Sequence, residues 1–292
     1  MTHTELSLAA SEQLRRADSS IGALLLESGK ITPEHAERIL RMQKEQGIRF
    51  GEAARRMGLI DETDIVQVLA RQFDYPYLQP GEGDFSPRLV AAYDPFSPQV
   101  EVLRAVRSQL MLRWFGRGHK ALAIVGVDHG DGASLFAANL AVVFSQLGEH
   151  TLLVDANLRK PSQHAIFNMG AHQGLSDILA GRADLDLIEP VERFADLALL
   201  AAGTLPPNPQ ELLARASFAG LNATLGARYD VTLYDVAAAT SGLDALVVAA
   251  RAGGSLIVAR KHQTRLGDIY ALAGQFAAHG GKVVGSVLLD FK

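Results

Sequence analysis

Five apolar runs, at 121–127, 150–155, 231–235, 254–260 and 282–289, recur through the C-terminal part of the chain with helical patterns between most of them. Strands this uniformly apolar have no face to give to water, so they must be covered on both sides. Alternation with helices supplies that cover and makes the sheet mainly parallel. Residues 99–292 are therefore expected to form an α/β unit, with a helix over 99–115 leading into the first strand. At 292 residues and 48% hydrophobic content the chain has room for this unit and a second, smaller one, and global disorder is excluded.

The second unit is signalled by duplication. Residues 20–43 and 49–72 repeat one pattern with a period of 29, aligning Gly22 with Gly51, Gly29 with Gly58, Ile31 with Ile60, Leu40 with Leu69 and Gln43 with Gln72. In each copy a short amphipathic helix stops at the second glycine, and Thr32 (followed by Pro33) or Asp61 caps the next helix. A small all-helical domain of two hairpins is expected over 20–75, preceded by a tail, 1–19. Prolines 76, 80, 87, 95 and 98, with Gly81 and Gly83, then mark 76–98 as a linker.

Composition narrows the function. With 28 basic and 32 acidic side chains the net charge is −4, which offers no polyanion-binding surface of the kind nucleic acid requires. The absence of cysteine removes thiol chemistry, disulfides and cysteine-held zinc; His164 and His172 have no carboxylate cluster at ligand spacing. The N-terminus has Glu5 and Glu12 where an export signal avoids acids, and no run approaches the roughly 20 apolar residues of a membrane span. A cytoplasmic protein is expected, with any membrane role borrowed from a partner.

After the first apolar run come His129-Gly130-Asp131-Gly132-Ala133-Ser134 and a helical pattern over 135–147. Strand, glycine loop and helix stand in the order a phosphate cradle needs: Gly130, Asp131, Gly132, Ala133, Ser134 and Leu135 would offer backbone N–H groups, and Ser134 a hydroxyl for Mg²⁺. The loop departs from G-x-x-x-x-G-K-[ST] in two ways. Ala133 occupies the lysine position, and Gly126 precedes Gly132 by six residues rather than five. Loss of a charge-assisted hydrogen bond to phosphate costs roughly 1.5–3 kcal/mol, about ten- to a hundredfold in affinity.

Three further segments carry a resemblance. Leu152-Leu153-Val154-Asp155-Ala156-Asn157-Leu158-Arg159-Lys160-Pro161 is similar to a strand ending in Asp-x-Asp-x-Arg, with Asn157 in place of the second aspartate. Val231-Thr232-Leu233-Tyr234-Asp235 is similar to a Walker B strand, although Val236-Ala237-Ala238 replaces the usual Thr-Pro-Pro. Gly203-Thr204-Leu205-Pro206-Pro207-Asn208-Pro209-Gln210-Glu211-Leu212-Leu213 is close to G-x-x-P-P-N-P-x-E-L-L. In order and spacing these resemble the bacterial tyrosine kinases of capsule and exopolysaccharide loci, P-loop proteins related to the MinD/ParA ATPases. The resemblance implies ATP or ADP with Mg²⁺ as cofactor, Ser134, Asp155 and Asp235 around the metal, and Asp155, Asp235 and Arg159 as catalytic residues. The missing lysine implies weak nucleotide binding and poor or lost catalysis unless Arg159, Lys160 or a neighbouring subunit supplies the cation. No tyrosine follows Tyr270, so the tyrosine cluster that family kinases phosphorylate is also missing. A partitioning ATPase would share the fold but is disfavoured by the lack of a basic patch.

Glu101, Arg104 and Arg107 lie along one face of the helix before the first strand. They match the E-x-x-R-x-x-R motif through which family members pack into rings; the alternative is a solvated charged face. The resemblance also implies a partner, the transmembrane polysaccharide chain-length determinant, which would recruit this chain to the inner membrane. His129 is expected to be a surface loop residue and Trp114 a packing residue. The duplication itself resembles the N-terminal domain of type II secretion and pilus-assembly ATPases, whose twin motifs bind cyclic di-GMP. Arg49, Gly51, Gly58 and Gln72 would form that site, although Ser20-Ile21-Gly22 has lost the first copy's arginine and Arg55 and Arg56 intrude. Protein docking is the alternative.

Overall fold

The structure is a computed structural model that describes residues 21–72, 76–78, 82–170 and 172–290. The expected tail 1–19, and with it Glu5, Glu12 and Ser20, lies outside the described residues, as do Pro80 and Gly81. Two units are distinguished, Met1–Pro76 and Tyr77–Lys292.

The first unit is helical: α1 (Ile21–Glu27), α2 (Pro33–Gln46), α3 (Phe50–Arg56) and α4 (Glu62–Gln72). The equivalent glycines of the duplication, Gly29 and Gly58, both take φ of 68°, the left-handed conformation that ends a helix without a Cβ penalty. The Thr32 hydroxyl accepts the His35 N–H at 3.3 Å. Asp61 and Asp64 cap each other's backbone N–H at 2.8 and 3.0 Å. Leu25, Ile31, Ile39, Ala53, Ala54 and Ile60 fill the small core between the hairpins.

In the second unit every residue of β1 (Ala121–Gly126) is buried, and alternate side chains feed two cores. Leu122 and Ile124 pack with α6 (Pro98–Arg113) and α7 (Ala133–Ser145); Ala123 and Val125 pack with α12 (Asp244–Ala252) and α13 (Leu266–Ala278). The other strands are β2 (Thr151–Asp155), β3 (Glu189–Pro190), β4 (Leu197–Leu200), β5 (Val231–Val236), β6 (Gly254–Arg260) and β7 (Lys282–Leu289), in sheet order β3-β4-β2-β5-β1-β6-β7. All pairs are parallel except β3 with β4. The fold is a P-loop-type α/β sandwich, as expected, with β3 and β4 added to the five strands read from sequence. Shorter helices α8 (Gln163–Ile166), α9 (Leu175–Leu179), α10 (Pro209–Ala214) and α11 (Ala216–Arg228) complete the connections. No described helix is long and apolar enough to cross a membrane.

Within the expected linker 76–98, the described residues 77–78 and 82–98 pack with the α/β unit. Leu78, Leu89, Ala91 and Ala92 are buried in the core of the α/β unit, and the short helix α5 (Val90–Tyr93) lies within this stretch. The Phe85 ring meets Phe167 edge-on and stacks with Phe194. Prolines break regular structure here, but the apolar residues between them still bind the segment to the sheet unit. One side chain clasps it to α7: Asn139, buried in an otherwise apolar helix, accepts the Ala91 N–H at 2.9 Å and donates to the carbonyls of Arg88 (3.2 Å) and Leu135 (2.9 Å).

Candidate functional site

The carboxyl ends of β1, β2 and β5 converge, and Asp155 and Asp235 are register partners on adjacent strands. Behind the glycine loop the two carboxylates are wholly buried and densely bonded. Asp155 accepts the backbone N–H groups of Asn157 (3.2 Å), Ser162 (2.9 Å) and Gln163 (2.9 Å). Asp235 accepts the Ser134 hydroxyl at 3.0 Å and the Gln163 side-chain amide at 2.7 Å, and the same amide reaches the Ser134 carbonyl at 2.9 Å. Gln163 thus joins the loop, β2 and β5, a role its sequence position, eight residues past Asp155, does not advertise. Burial, and then the neighbouring Asp155 charge, push the Asp235 carboxyl well above the usual carboxylate range; burial pushes Asp155 up as well, opposed by its backbone N–H partners.

Above this corner the loop turns through Gly130 (φ 89°) and Gly132 (φ 85°) into the first turn of α7. The N–H groups of Ala133, Ser134 and Leu135 have no acceptor within the helix, as at any helix start, so they are available to an anion. A cavity of about 710 Å³ opens there, lined by loop residues 128–135, by Asn157, Lys160 and Ser162 after β2, by Arg260 at the end of β6, and by Ser86 and Arg88. Because the Ser134 hydroxyl donates its proton to Asp235, its lone pairs are left for a cation. Asp155 and Asp235 are buried behind Ser134 and do not line the cavity, so the loop amides and the Ser134 hydroxyl are the groups that fit a Mg²⁺-bound polyphosphate. The place of the loop cation does not, since Ala133 carries only a methyl group.

Other expected site residues are placed differently. The carboxylate of Asp131 is buried and accepts the Asp128 N–H (2.8 Å) and the Thr264 hydroxyl (2.9 Å), while its own N–H closes onto the Asp128 carbonyl. It braces the loop rather than offering an N–H to phosphate. Arg159 forms a two-pronged pair with buried Asp244 (2.7 and 3.0 Å) and does not line the cavity, so its guanidinium is committed elsewhere. His129 is an exposed loop residue within 2.9 Å of the Ser241 hydroxyl, and Trp114 is buried, donating its ring N–H to Ala121. The Gly203–Thr204 turn is anchored by Asp177, which accepts the N–H and hydroxyl of Thr204 at 3.1 Å each. A Cβ on Gly174 would overlap the Ala201 carbonyl there, so the proline-rich motif here is a close backbone crossing rather than a cavity wall.

On α6, Arg104 pairs with Glu101 and its guanidinium lies 5.9 Å from the Phe96 ring centre, while Arg107 donates to the Val143 carbonyl of α7 at 2.6 Å. In the helical unit Arg49 is exposed just before α3, Gly51 is buried against Ile65, and Gly58 forms the left-handed turn. Gln72 ends α4. Arg55 and Arg56 pair with Glu62 (3.5 Å) and Glu52 (2.6 Å) on the exposed surface.

Among known proteins, the chain is 32% identical over 201 residues to the tyrosine-protein kinase Wzc of Salmonella typhimurium, covering 69% of this chain but only 28% of that protein. It is 32% identical over 194 residues to the putative tyrosine-protein kinase CapB of Staphylococcus aureus, covering 66% of this chain and 85% of CapB. Among solved structures, the kinase domain of Escherichia coli tyrosine kinase ETK superposes with a TM-score of 0.67 at 28% identity, over 69% of this chain and 79% of that one. The septum site-determining protein MinD of Pyrococcus horikoshii shares the fold, with a TM-score of 0.51 at 23% identity over 58% of this chain and 69% of that one. No family model matches. The aligned relatives, the parallel sheet and the acidic corner behind the glycine loop agree, and the chain belongs to the bacterial tyrosine-protein kinases.

Proposed function

We propose that this chain is a tyrosine-kinase-like ATPase of capsule and exopolysaccharide chain-length control that binds ATP or ADP with Mg²⁺ weakly and has poor or no phosphoryl transfer. One contrast carries the reading. Ser134 lines the cavity and would hold the metal, with Asp155 and Asp235 buried behind it, while Ala133 leaves the loop without its cation. Bound Mg²⁺ would screen the phosphate charges; Ser134 would hold the ion, and the loop amides would orient the phosphates. What the protein lacks is a fixed charge from the loop where negative charge moves during transfer.

Isothermal titration with Mg-ATP tests the first half of this reading, and phosphotyrosine detection after incubation with Mg-ATP and the membrane partner tests the second. Micromolar affinity with turnover typical of a protein kinase would sink it. The partner is proposed to be a transmembrane chain-length determinant that brings this chain to the inner membrane. Self-assembly into a ring through Glu101, Arg104 and Arg107 is proposed with it, and light scattering on Arg104→Glu would show loss of the oligomer. In a second reading the chain is a regulatory scaffold without catalysis. The exposed Arg49 favours a test of cyclic di-GMP on the helical unit, by calorimetry against Arg49→Ala.

A further inference from the structure

A polyphosphate brings three or four negative charges, and the loop meets it with none of its own positive charge. The loop contributes the opposite sign: Asp128 and Asp131 both line the cavity. Positive charge has to come from elsewhere along the wall, and three candidates line it, Arg88, Lys160 and Arg260. Arg260 already has a partner. Lys160 is exposed in the turn after β2.

Arg88 has a backbone held to the loop's own helix. Its carbonyl is bound by the Asn139 amide, which at the same time holds the carbonyl of Leu135, a residue of the cavity wall. Two residues earlier, the Ser86 N–H donates to the Ile166 carbonyl at 2.8 Å. The segment carrying Arg88 is therefore pinned to the helix that starts at the phosphate loop, while the side chain itself is exposed at the cavity and forms no ion pair among the described residues. An arginine remains charged at any working pH and presents a planar fork of donors that suits phosphate oxygens.

We propose that Arg88, delivered by the packed 82–98 segment, supplies the cation that the phosphate loop lacks and binds the terminal phosphates of the nucleotide. This rests on the nucleotide-binding reading above. Arg88 and a loop lysine would then serve overlapping purposes, and that overlap is measurable.

The test is Mg²⁺-dependent binding of a fluorescent ADP analogue, displaced by unlabelled ADP and ATP, to the full chain and to Arg88→Ala, Arg88→Lys, Ala133→Lys and the double variant Arg88→Ala/Ala133→Lys. Arg88→Ala should weaken ADP by about ten- to a hundredfold, the gain expected of a charge-assisted hydrogen bond. Arg88→Lys should recover part of that loss, and the melting temperature of Arg88→Ala should stay at the wild-type value because the side chain is exposed. In the Ala133→Lys background the same Arg88→Ala change should cost markedly less. If the wild type binds and Arg88→Ala binds equally well, the assignment of Arg88 is wrong and the nucleotide reading survives. An equal loss in both backgrounds would mean that Arg88 acts independently of the missing lysine, and overturns the substitution claimed here. If the wild type binds no ADP or ATP at millimolar concentration, both readings fall.

Discussion

In the acidic corner behind the loop, Ser134, Asp155, Asp235 and Gln163 are joined by hydrogen bonds of 2.7–3.0 Å, and all but Ser134 are buried, whereas at the cavity wall Ala133 offers only a methyl group. The two regions belong to one ancestral machine but answer to different constraints. Asp155 and Gln163 cannot be lost singly without stranding buried partners, so folding protects them even if catalysis has lapsed. A lysine in the cavity contributes to ligand binding and little to the fold, so its loss is tolerated by the structure. Persistence of Asp155 is thus weak testimony for activity, and the side chain at 133 is the informative one.

That contrast can be broken experimentally. The largest effect is expected from Gln163→Leu, which removes the donor to Asp235 and to the Ser134 carbonyl and should destabilise the fold by about 3 kcal/mol, read from the urea midpoint. A loss under about 1 kcal/mol would mean the corner is not a folding constraint. Next comes Ala133→Lys, which should strengthen Mg-ATP binding by about ten- to a hundredfold, or roughly 1.5–3 kcal/mol, while moving the unfolding midpoint little.

Asp235→Asn should act with opposite signs on fold and ligand. In the wild type the Asp235 carboxyl is raised by burial and by Asp155, so between the ordinary carboxylate range and that raised value the folded state holds the extra proton. Wild-type stability therefore falls as pH rises through this window. An asparagine can keep both the Gln163 and Ser134 contacts without the charge. The nucleotide-free variant should be more stable than wild type by about 1–2 kcal/mol at pH 8, with the advantage shrinking toward pH 5, yet it should lose Mg²⁺-dependent nucleotide binding. Denaturation curves at the two pH values check the sign. The smallest effect is expected at the far end of the sheet, where Lys120 pairs with Asp230 at 3.0 Å, both half-exposed; Lys120→Ala should change stability by no more than about 0.5 kcal/mol, in contrast to the buried corner.

Sequence reading located the parts of this molecule whose signal is local. β1, β2, β5, β6 and β7 are continuous apolar runs, and the helical hairpins announce themselves through Gly29, Gly58, Thr32 and Asp61. β4 was not legible because Leu197–Leu200 is short and rich in leucine rather than β-branched residues, a stretch equally suited to a helix. The packing of residues within 76–98 is illegible for a related reason: proline density reports the lack of regular hydrogen bonding and says nothing about whether Leu78 and Leu89 are buried. Partners such as Gln163 for Asp235, Asp244 for Arg159 and Thr264 for Asp131 lie 72, 85 and 133 residues away, and no periodicity links them. Asp131 and Arg159 could be recognised as motif residues while their actual bonds could not.

The Asn139 clasp also fixes where this molecule can be cut. A fragment begun at residue 99 keeps every motif of the kinase resemblance, yet it amputates Ala91 and Arg88 and strips the buried Asn139 of two of its three bonds, beside a scar where Leu78, Leu89, Ala91 and Ala92 had packed. Such a piece should come out sticky and poorly folded, and the error would be easily mistaken for an inactive enzyme. The compact sheet unit itself begins at Tyr77.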